Sequence, residues 1–511
     1  MKKNTLLKST LIIMIVSCIS RIIGFVRDML IANNFGAGMY TDAYNIAVTV
    51  PETIFMLIGL AISTSFLPVL SKIKAEKGIK KMYDFANNMI NILFIISLLF
   101  FVVTSIFSKE IVMVLGTGFD AETTILATRL TRITLINLLF MSINACFTSL
   151  LQVNEDFIIP SVLGLFFNLP MILYLLFFRS YDIIGLTIAN VIGNFFRVII
   201  QIPSLVSHGY KYKFFVNLKD EGIRAILILI IPVIIAAGAN SLNMVVDKRI
   251  ASSLEIGSIS ALGYAEKLIF FINSIITTSI SSVAYPMMAN AINEKRIHEF
   301  IELLKKSIIY LALVLIPITV GVIIFRKDIV SIIYERGKFT EYAVNLTTSA
   351  LLGYTFGIFF TGMRDILNST LFSMGKTKIT TLNGIIGVII NICLSIILSK
   401  TIGISGVALA SSIAMFITSI LLFRNITNLE HNFNYKKLFI KIFKIIANSI
   451  LMGLIIILFI KFVEGKIPQI IIIILGTAIG IIAYFSLCNL FNIKEVQEMK
   501  ELALSKVAKK K

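Results

Sequence analysis

The sequence predicts an all-α integral membrane protein with about 14 transmembrane helices. Of its 511 residues, 57% are hydrophobic and only 15% are charged, and the mean hydropathy of +0.93 is too high for a soluble protein of ordinary composition. The apolar residues recur in blocks of about 20, long enough for a helix rising ~1.5 Å per residue to cross a hydrocarbon layer of ~30 Å. Helices are expected because a segment in lipid must satisfy its own backbone hydrogen bonds.

The apolar blocks place the predicted helices in order along the chain. They lie near residues 9–32, 42–71, 86–108, 124–152, 158–178, 182–206, 223–252, 258–291, 303–325, 344–373, 378–400, 404–423, 439–462 and 467–490. The first block lacks a small-residue cleavage site, so we expect a retained span and not a signal peptide. An even number of spans puts both termini on the same side of the membrane.

The Lys and Arg residues behind the net charge of +19 gather in the connections between these blocks. The positive-inside rule predicts that the basic connections and the basic C-terminus, and so both termini, are cytoplasmic. These stretches are 72–81, 210–224, 293–306, 434–437 and the terminal KVAKKK. The basic connection 326–341 breaks the pattern, and only the count of spans places it outside. No basic soluble domain is left to bind nucleic acid.

An internal repeat divides the chain into two halves. DMLIANNFGAG (28–38) and DKRIASSLEIG (247–257) align without a gap, 219 residues apart, and SVLGLFFN and GIIGVIIN end at Asn168 and Asn391, 223 residues apart. The repeat predicts a six-helix lobe at 1–222, a second at 223–430, and two additional helices with a basic cytoplasmic tail at 431–511. Parallel repeats of this kind build transporters whose substrate site lies between the halves.

Several charges fall within the predicted spans. A charge at the bilayer centre costs ~2.5–3.5 kcal/mol on insertion scales, so such residues are functional candidates. The cations Arg21, Arg27, Arg249 and Lys267 are predicted to bind an anionic substrate, since guanidinium forks suit phosphate groups. Asp28, Asp42, Asp247 and Glu266 are candidates for ion or proton coupling or for charge balance. The alternative is that these charges reach the headgroups or pair with one another, as we expect for the adjacent Arg364 and Asp365.

The sequence gives little indication of catalysis, metal binding or cofactor binding. The four cysteines are single, the three histidines lie in connections, and there is no HExxH or GxxxxGK[ST] motif. We therefore expect no catalytic residues, no metal and no cofactor. A prenyl-phosphate enzyme would need clustered carboxylates for Mg²⁺. A non-transporting scaffold would not explain the charges of the first helix.

Several blocks in order resemble the MurJ (MviN) family of lipid II flippases, within the multidrug/oligosaccharidyl-lipid/polysaccharide exporter superfamily. These blocks are SRIIGFVRDMLIANNFGAGMYTDAYNIAVTVP (20–51), VVDKRIASSLEIGSISALGYAEKL (245–268), YERGKFT (334–340) and GISGVALASSIA (403–414). The resemblance implies a V-shaped pair of lobes in the bacterial cell membrane. It also implies that the protein moves the undecaprenyl-pyrophosphate-linked peptidoglycan precursor from the inner to the outer leaflet by alternating access, for cell-wall biogenesis and cell shape.

The resemblance also implies roles for single residues. The family's essential first-helix arginines fall on Arg21 and Arg27, its acidic residues on Asp28 and Asp42, and its eighth-helix arginine on Lys267. The second helix, PETIFMLIGLAISTSFLP (51–68), lacks the arginines and the Glu-Gly pair that the family usually carries there. Two alternatives therefore stay open: an exporter of another polyprenyl-linked oligosaccharide and, next, a cation-coupled drug antiporter.

The energy source and the partners are expectations too. Without an ATP-binding motif, coupling to the membrane potential or to a monovalent ion is the candidate energy source. The expected partners are lipid II and membrane lipids, with the cell-wall synthesis machinery as a further candidate.

Overall fold

The computed structural model describes residues 3–178, 182–429, 435–493 and 495–497, and these contain helices and no strand. The 18 α-helices are α1 (Lys3–Phe35), α2 (Met39–Ala61), α3 (Leu67–Ile106), α4 (Ser108–Leu115), α5 (Ala121–Thr134), α6 (Asn137–Val153), α7 (Ile158–Phe177), α8 (Ile183–Ile199), α9 (Ile202–Ser207), α10 (Glu221–Ser252), α11 (Ser258–Asn293), α12 (Ile297–Tyr334), α13 (Glu341–Thr355), α14 (Ile358–Ser373), α15 (Thr377–Ile402), α16 (Ile404–Leu429), α17 (Tyr435–Val463) and α18 (Gln469–Leu490). A π-helical turn, Ile62–Phe66, joins α2 to α3.

The predicted fold class is confirmed. Within the described residues, 10 helical segments are long and apolar enough to cross a membrane, or up to 11 if the pair α13–α14, bent by 46°, is one span. Each of the 14 predicted segments contains a described helix, but α1, α2 and α10 are not among those 10 or 11 spans. The count of 14 therefore stays a prediction.

The chain divides into two compact units. Unit 1 comprises Met1–Ala261 with Tyr334–Ala343, and unit 2 comprises Leu262–Ile333 with Val344–Lys511. The two units are defined by contacts between residues in space, whereas the predicted halves at 1–222 and 223–430 are defined by a sequence repeat. The predicted halves and the two additional helices at 431–511 therefore stay predictions.

In unit 1, helices pack side by side in five pairs: α1 on α7, α7 on α8, α2 on α5, α2 on α10, and α3 on α6. A buried apolar cluster between α3, α6 and the end of α8 includes Phe66, Met82, Cys146 and Leu150. Because lipid is as apolar as these side chains, close packing holds such helices together more than the hydrophobic effect does.

Helix α3 is longer than the sequence suggested. We expected a helix to end at residue 71 and another to begin at 86, with a basic connection at 72–81; instead, helical residues fill this stretch on both sides of a kink at Gly78. Lys and Ala are good helix formers, which explains the continuation. Gly78 alone leaves helical geometry, with φ of 83°, and kinks the helix there.

Three asparagines of α3 hold the connection 208–220 in place. Asn91 Nδ2 donates to the carbonyls of Lys213 and Phe215 at 3.1 and 3.0 Å. Asn87 Nδ2 donates to the carbonyl of Lys211 at 3.0 Å, and Asn88 both donates to and accepts from the backbone of residue 217. The asparagines are buried, whereas the side chains of residues 211–219 are exposed. The backbone of this connection is therefore fixed, and the Tyr212 hydroxyl also donates to Asn91 Oδ1 at 2.7 Å.

The end of the basic connection 326–341 belongs to unit 1 and packs on the end of α1. The backbone nitrogen of Lys338 donates to the Asn33 carbonyl at 2.8 Å. Gly337 has a positive φ of 57°, and a Cβ there would lie 2.3 Å from the Asn33 carbonyl oxygen. Only glycine fits both constraints, so this turn is shaped to meet α1.

In unit 2, α15 packs on α16, α14 on α16, and α17 on α18. At the bend between α13 and α14, a Cβ on Gly357 would lie 2.7 Å from Ser412 Oγ, so the bend brings its backbone against α16. Helices α17 and α18 leave large apolar side chains exposed, among them Phe443, Phe462 and Leu490. Such faces are expected where a helix meets lipid.

Candidate functional site

The charged end of α1 carries an ion pair. Arg27 Nη2 and Nε donate to Asp28 Oδ1 at 2.9 and 3.2 Å. Asp28 is 5% exposed, and the Arg27 side chain keeps 18% of its surface open. A carboxylate this buried is stable only with a partner, and Arg27 supplies it.

Helix α7 fixes the other side of the Arg27 guanidinium. Arg27 Nη1 donates to Asn168 Oδ1 at 2.8 Å, while Asn168 Nδ2 donates to the Gly164 carbonyl at 2.7 Å. A Cβ on Gly164 would lie 2.1 Å from Ser20 Oγ, so α1 and α7 approach closely here. Arg27 is therefore held between a carboxylate and an amide oxygen in a fixed orientation.

A second arginine, which our sequence analysis missed, lies near the first. The Cζ atoms of Arg27 and Arg197 lie 5.6 and 4.0 Å from the centroid of the same Phe167 ring. Both distances are in the range of cation–π attraction. Arg197 is the only charged residue of α8, so the rule that singled out Arg21 could have found it.

Asp42, predicted as a coupling or charge-balancing residue, binds the beginning of α11. Its Oδ2 accepts from the Gly257 backbone nitrogen at 2.8 Å, and its Oδ1 accepts from the Ser260 nitrogen and hydroxyl. Asn45 Nδ2 also donates to Ser260 Oγ at 3.2 Å. The carboxylate thus satisfies backbone donors at a helix N-terminus, where negative charge is stabilised.

Arg21, Asp247 and Arg249, also of unit 1, have other surroundings. Arg21 is exposed and forms no ion pair with any described residue. Asp247 accepts from Asn243 Nδ2 at 3.1 Å within α10. Arg249 is exposed, and its carbonyl accepts from Ser252 Oγ at 2.8 Å.

Two predicted residues, Glu266 and Lys267, belong to unit 2. Glu266 is exposed, and Lys267 Nζ lies 5.6 Å from the centroid of the Tyr264 ring. The expected pair of Arg364 with Asp365 is confirmed at 3.0 Å. Whether any of the predicted residues binds substrate or couples ions stays a prediction.

No group of three or more His, Cys, Asp or Glu within the described ranges could hold a metal ion. All four cysteines are free; Cys18 and Cys393 are exposed, and Cys146 and Cys488 are buried. Arg27 contacts one carboxylate and one amide and shares the Phe167 ring with the Arg197 guanidinium. Guanidinium groups suit ionic binding of an anion.

The long apolar helices define a multi-pass membrane protein, and in unit 1 two arginines share one aromatic ring. The family model described as "Lipid II flippase MurJ" matches residues 31–477. A similar protein, "Probable lipid II flippase MurJ" of Buchnera aphidicola subsp. Schizaphis graminum (strain Sg), is 31% identical over 428 residues, which are 82% of each chain. The chain belongs to the MurJ family.

Solved structures agree with this assignment. A structure titled "Lipid II flippase MurJ, inward closed conformation" aligns with a TM-score of 0.79 and 27% identity, over 94% of this chain and 98% of the other. An inward-facing multidrug resistance MATE family transporter of the MOP superfamily aligns with a TM-score of 0.58 and 15% identity, over 81% of this chain and 99% of the other. At that identity, the second similarity concerns the fold alone.

Proposed function

We propose that this protein is a lipid II flippase, which moves the undecaprenyl-pyrophosphate-linked peptidoglycan precursor from the inner to the outer leaflet. The observation that carries the proposal is family membership over residues 31–477 together with a TM-score of 0.79 to a MurJ structure. Flipping leaves the substrate chemically unchanged, so the protein is a transporter and not an enzyme. The same observations do not favour an exporter of another oligosaccharide or a drug antiporter.

The predicted cations suit binding of the anionic pyrophosphate of this substrate. Arg21, Arg27, Arg249 and Lys267 are proposed to contact it during an alternating-access cycle. A guanidinium can donate two parallel hydrogen bonds to a phosphate, and in surroundings of low dielectric these are stronger than in water. The fixed orientation of Arg27 supports its part in this role.

Location, energy source and partners complete the proposal. The protein is proposed to lie in the bacterial cell membrane with both termini cytoplasmic, as the basic connections indicate. The membrane potential, worth ~2.3 kcal/mol per charge per 100 mV, or a monovalent ion would drive reorientation. The candidate acidic groups for ion or proton coupling or charge balance are Asp28, Asp42, Asp247 and Glu266. The enzymes that polymerise lipid II in the outer leaflet are the proposed protein partners, since they consume the product.

Complementation tests the proposed function. A bacterium depleted of its own lipid II flippase should regain growth and outer-leaflet lipid II when it expresses this protein. Failure of well-expressed wild type to restore outer-leaflet lipid II would contradict the proposal. The double variant Arg21→Ala with Arg27→Ala should lose rescue, whereas Arg129→Ala, at an exposed position of α5, should keep it. Unchanged rescue by the double variant would exclude these arginines as the binding site.

A further inference from the structure

Arg197 occupies an unusual position for a cation in an apolar helix. It is the only charged residue of α8, and its Cζ atom lies 4.0 Å from the centroid of the Phe167 ring. Its Nη1 donates to Asn194 Oδ1 at 3.3 Å, one turn earlier in the same helix. The guanidinium is thus oriented by an aromatic ring and an amide, neither of which neutralises its charge.

The two arginines at Phe167 differ in how their donors are used. The Nε, Nη1 and Nη2 atoms of Arg27 all donate to Asp28 or Asn168. By contrast, Arg197 Nε is buried without a hydrogen-bond partner among the described residues. No carboxylate of those residues forms an ion pair with Arg197; Glu52 of α2 acts on it only electrostatically.

The charge balance follows from these contacts. Asp28 forms an ion pair with Arg27, whereas no described carboxylate forms one with Arg197, on which Glu52 acts only electrostatically. Burying a donor of a charged group without a partner is unfavourable, and two neighbouring guanidiniums also repel each other. An anion within hydrogen-bond distance of the Arg197 guanidinium would offset both penalties.

We propose that Arg197 and Arg27, arranged on the Phe167 ring, form a phosphate-binding site in unit 1, and that Arg197 provides the guanidinium that has no ion-pair partner among the described residues. The ligand class is a phosphate or diphosphate ester, because a guanidinium fork matches two phosphate oxygens. The identification of this ester as the substrate's pyrophosphate rests on the proposed function. The anion site itself rests on the contacts of Arg197.

Direct binding tests the site without requiring transport. The full-length protein in nanodiscs of neutral lipid is titrated with farnesyl diphosphate and, separately, with uncharged farnesol, and the bound fraction is measured by native mass spectrometry. Arg197→Gln should weaken farnesyl diphosphate binding about tenfold or more, as loss of a charge-assisted hydrogen bond predicts. Farnesol binding should not change. Arg197→Lys should give an intermediate loss, since it keeps the charge without the fork.

Matched variants separate binding from folding. Arg129→Gln removes one exposed positive charge of unit 1 and should leave the affinity for farnesyl diphosphate unchanged. Phe167→Leu keeps an apolar side chain but removes the shared ring, and it should weaken diphosphate binding while farnesol binding persists. Farnesol binding by each variant shows that the fold is retained.

Three results would overturn the proposal. In the first, Arg197→Gln binds farnesyl diphosphate within twofold of the wild-type affinity. In the second, Arg129→Gln weakens this binding as much as Arg197→Gln does. In the third, the wild-type protein binds farnesyl diphosphate and farnesol equally well. Complementation distinguishes the two proposals. If Arg197→Gln weakens diphosphate binding but wild type fails to restore outer-leaflet lipid II, the phosphate site stands and the proposed substrate is wrong.

Discussion

Asp42 of α2 and Ser260 of α11, 218 residues apart in the chain, are joined by two hydrogen bonds, from the Ser260 backbone nitrogen and from its hydroxyl to the same carboxylate oxygen. Asp42 is 4% exposed and Ser260 is 1% exposed. Their link is thus a buried, charge-assisted contact, the stronger kind of hydrogen bond.

Replacing Asp42 with Ala should lower the free energy of unfolding by about 3 kcal/mol, because the amide donors at the start of α11 lose their acceptor. Ser260→Ala should cost about 1 kcal/mol, because only the hydroxyl contact is lost. A double-mutant cycle, measured by circular dichroism during detergent-induced unfolding, should give a coupling energy of about 1 kcal/mol. Additive effects would show that the two side chains act independently.

The contact of Arg27 with Asn168 predicts a loss of transport without loss of the fold. Asn168→Leu removes the acceptor of Arg27 Nη1, so the guanidinium loses one of its two fixed sides. Outer-leaflet lipid II in complemented cells should fall about tenfold, the usual effect of misplacing one charge-assisted contact. Leu169→Ala, at a 43% exposed neighbour in α7, should transport normally. Wild-type transport by Asn168→Leu would show that this contact does not matter for activity.

The hydrogen bonds of the α3 asparagines predict that loss of one asparagine makes the connection 208–220 sensitive to protease. Asn91→Ala removes the shared donor of the Lys213 and Phe215 carbonyls, so the connection 208–220 should detach locally. Trypsin should then cleave after Lys211 and Lys213 about thirtyfold faster, as loss of two contacts of ~1 kcal/mol each predicts. Ile95→Ala, one turn further along α3 and 45% exposed, serves as the control. Equal cleavage of wild type and Asn91→Ala would contradict the proposed role of the asparagine.

Asp120 predicts a pH-dependent contribution to stability. It caps α5, with Oδ1 accepting from the Thr123 nitrogen at 2.8 Å, and hydrogen bonding by Thr123 holds the pKa of Asp120 below its ordinary value of 3.8. A carboxyl whose pKa is lower in the folded state stabilises it above the unfolded pKa and loses this effect as the pH falls.

The melting temperature of wild type should therefore exceed that of Asp120→Ala at pH 7, and the difference should shrink as the pH falls below about 4. Asp120→Asn caps without titrating, so its advantage over Asp120→Ala should not depend on pH. If the difference in melting temperature between wild type and Asp120→Ala stays constant down to about pH 3, the capping by Asp120 does not depend on its ionisation.

The sequence alone predicted the features that depend on residues close together in the chain. Helices and apolar segments follow from local hydropathy, and the charges of α1 stand out because their neighbours are apolar. The same reasoning placed helix ends at residues 71 and 86, whereas helical residues continue on both sides of the kink at Gly78. It also left out Arg197, an equally isolated charge in an apolar helix.

Partners of the polar residues could not be predicted in this way. Arg27 meets Asn168 across 141 residues of chain, and Asp42 meets Ser260 across 218. The repeat aligned Asp28 with Asp247, yet Asp28 pairs with Arg27, whereas Asp247 accepts from Asn243. A repeat preserves the backbone path, but the side chains around each copy differ, so equivalent acids take different partners.

By itself, the sequence determined that this protein is a helical membrane protein with a repeated, charge-bearing segment, because hydropathy and spacing are properties of the chain. Only the tertiary structure decided that Asp42 binds the start of α11, that Asp28 neutralises Arg27, and that Arg197 shares the Phe167 ring. The physical reason is that a buried charge is satisfied by whatever group the packing of distant helices brings within hydrogen-bond distance.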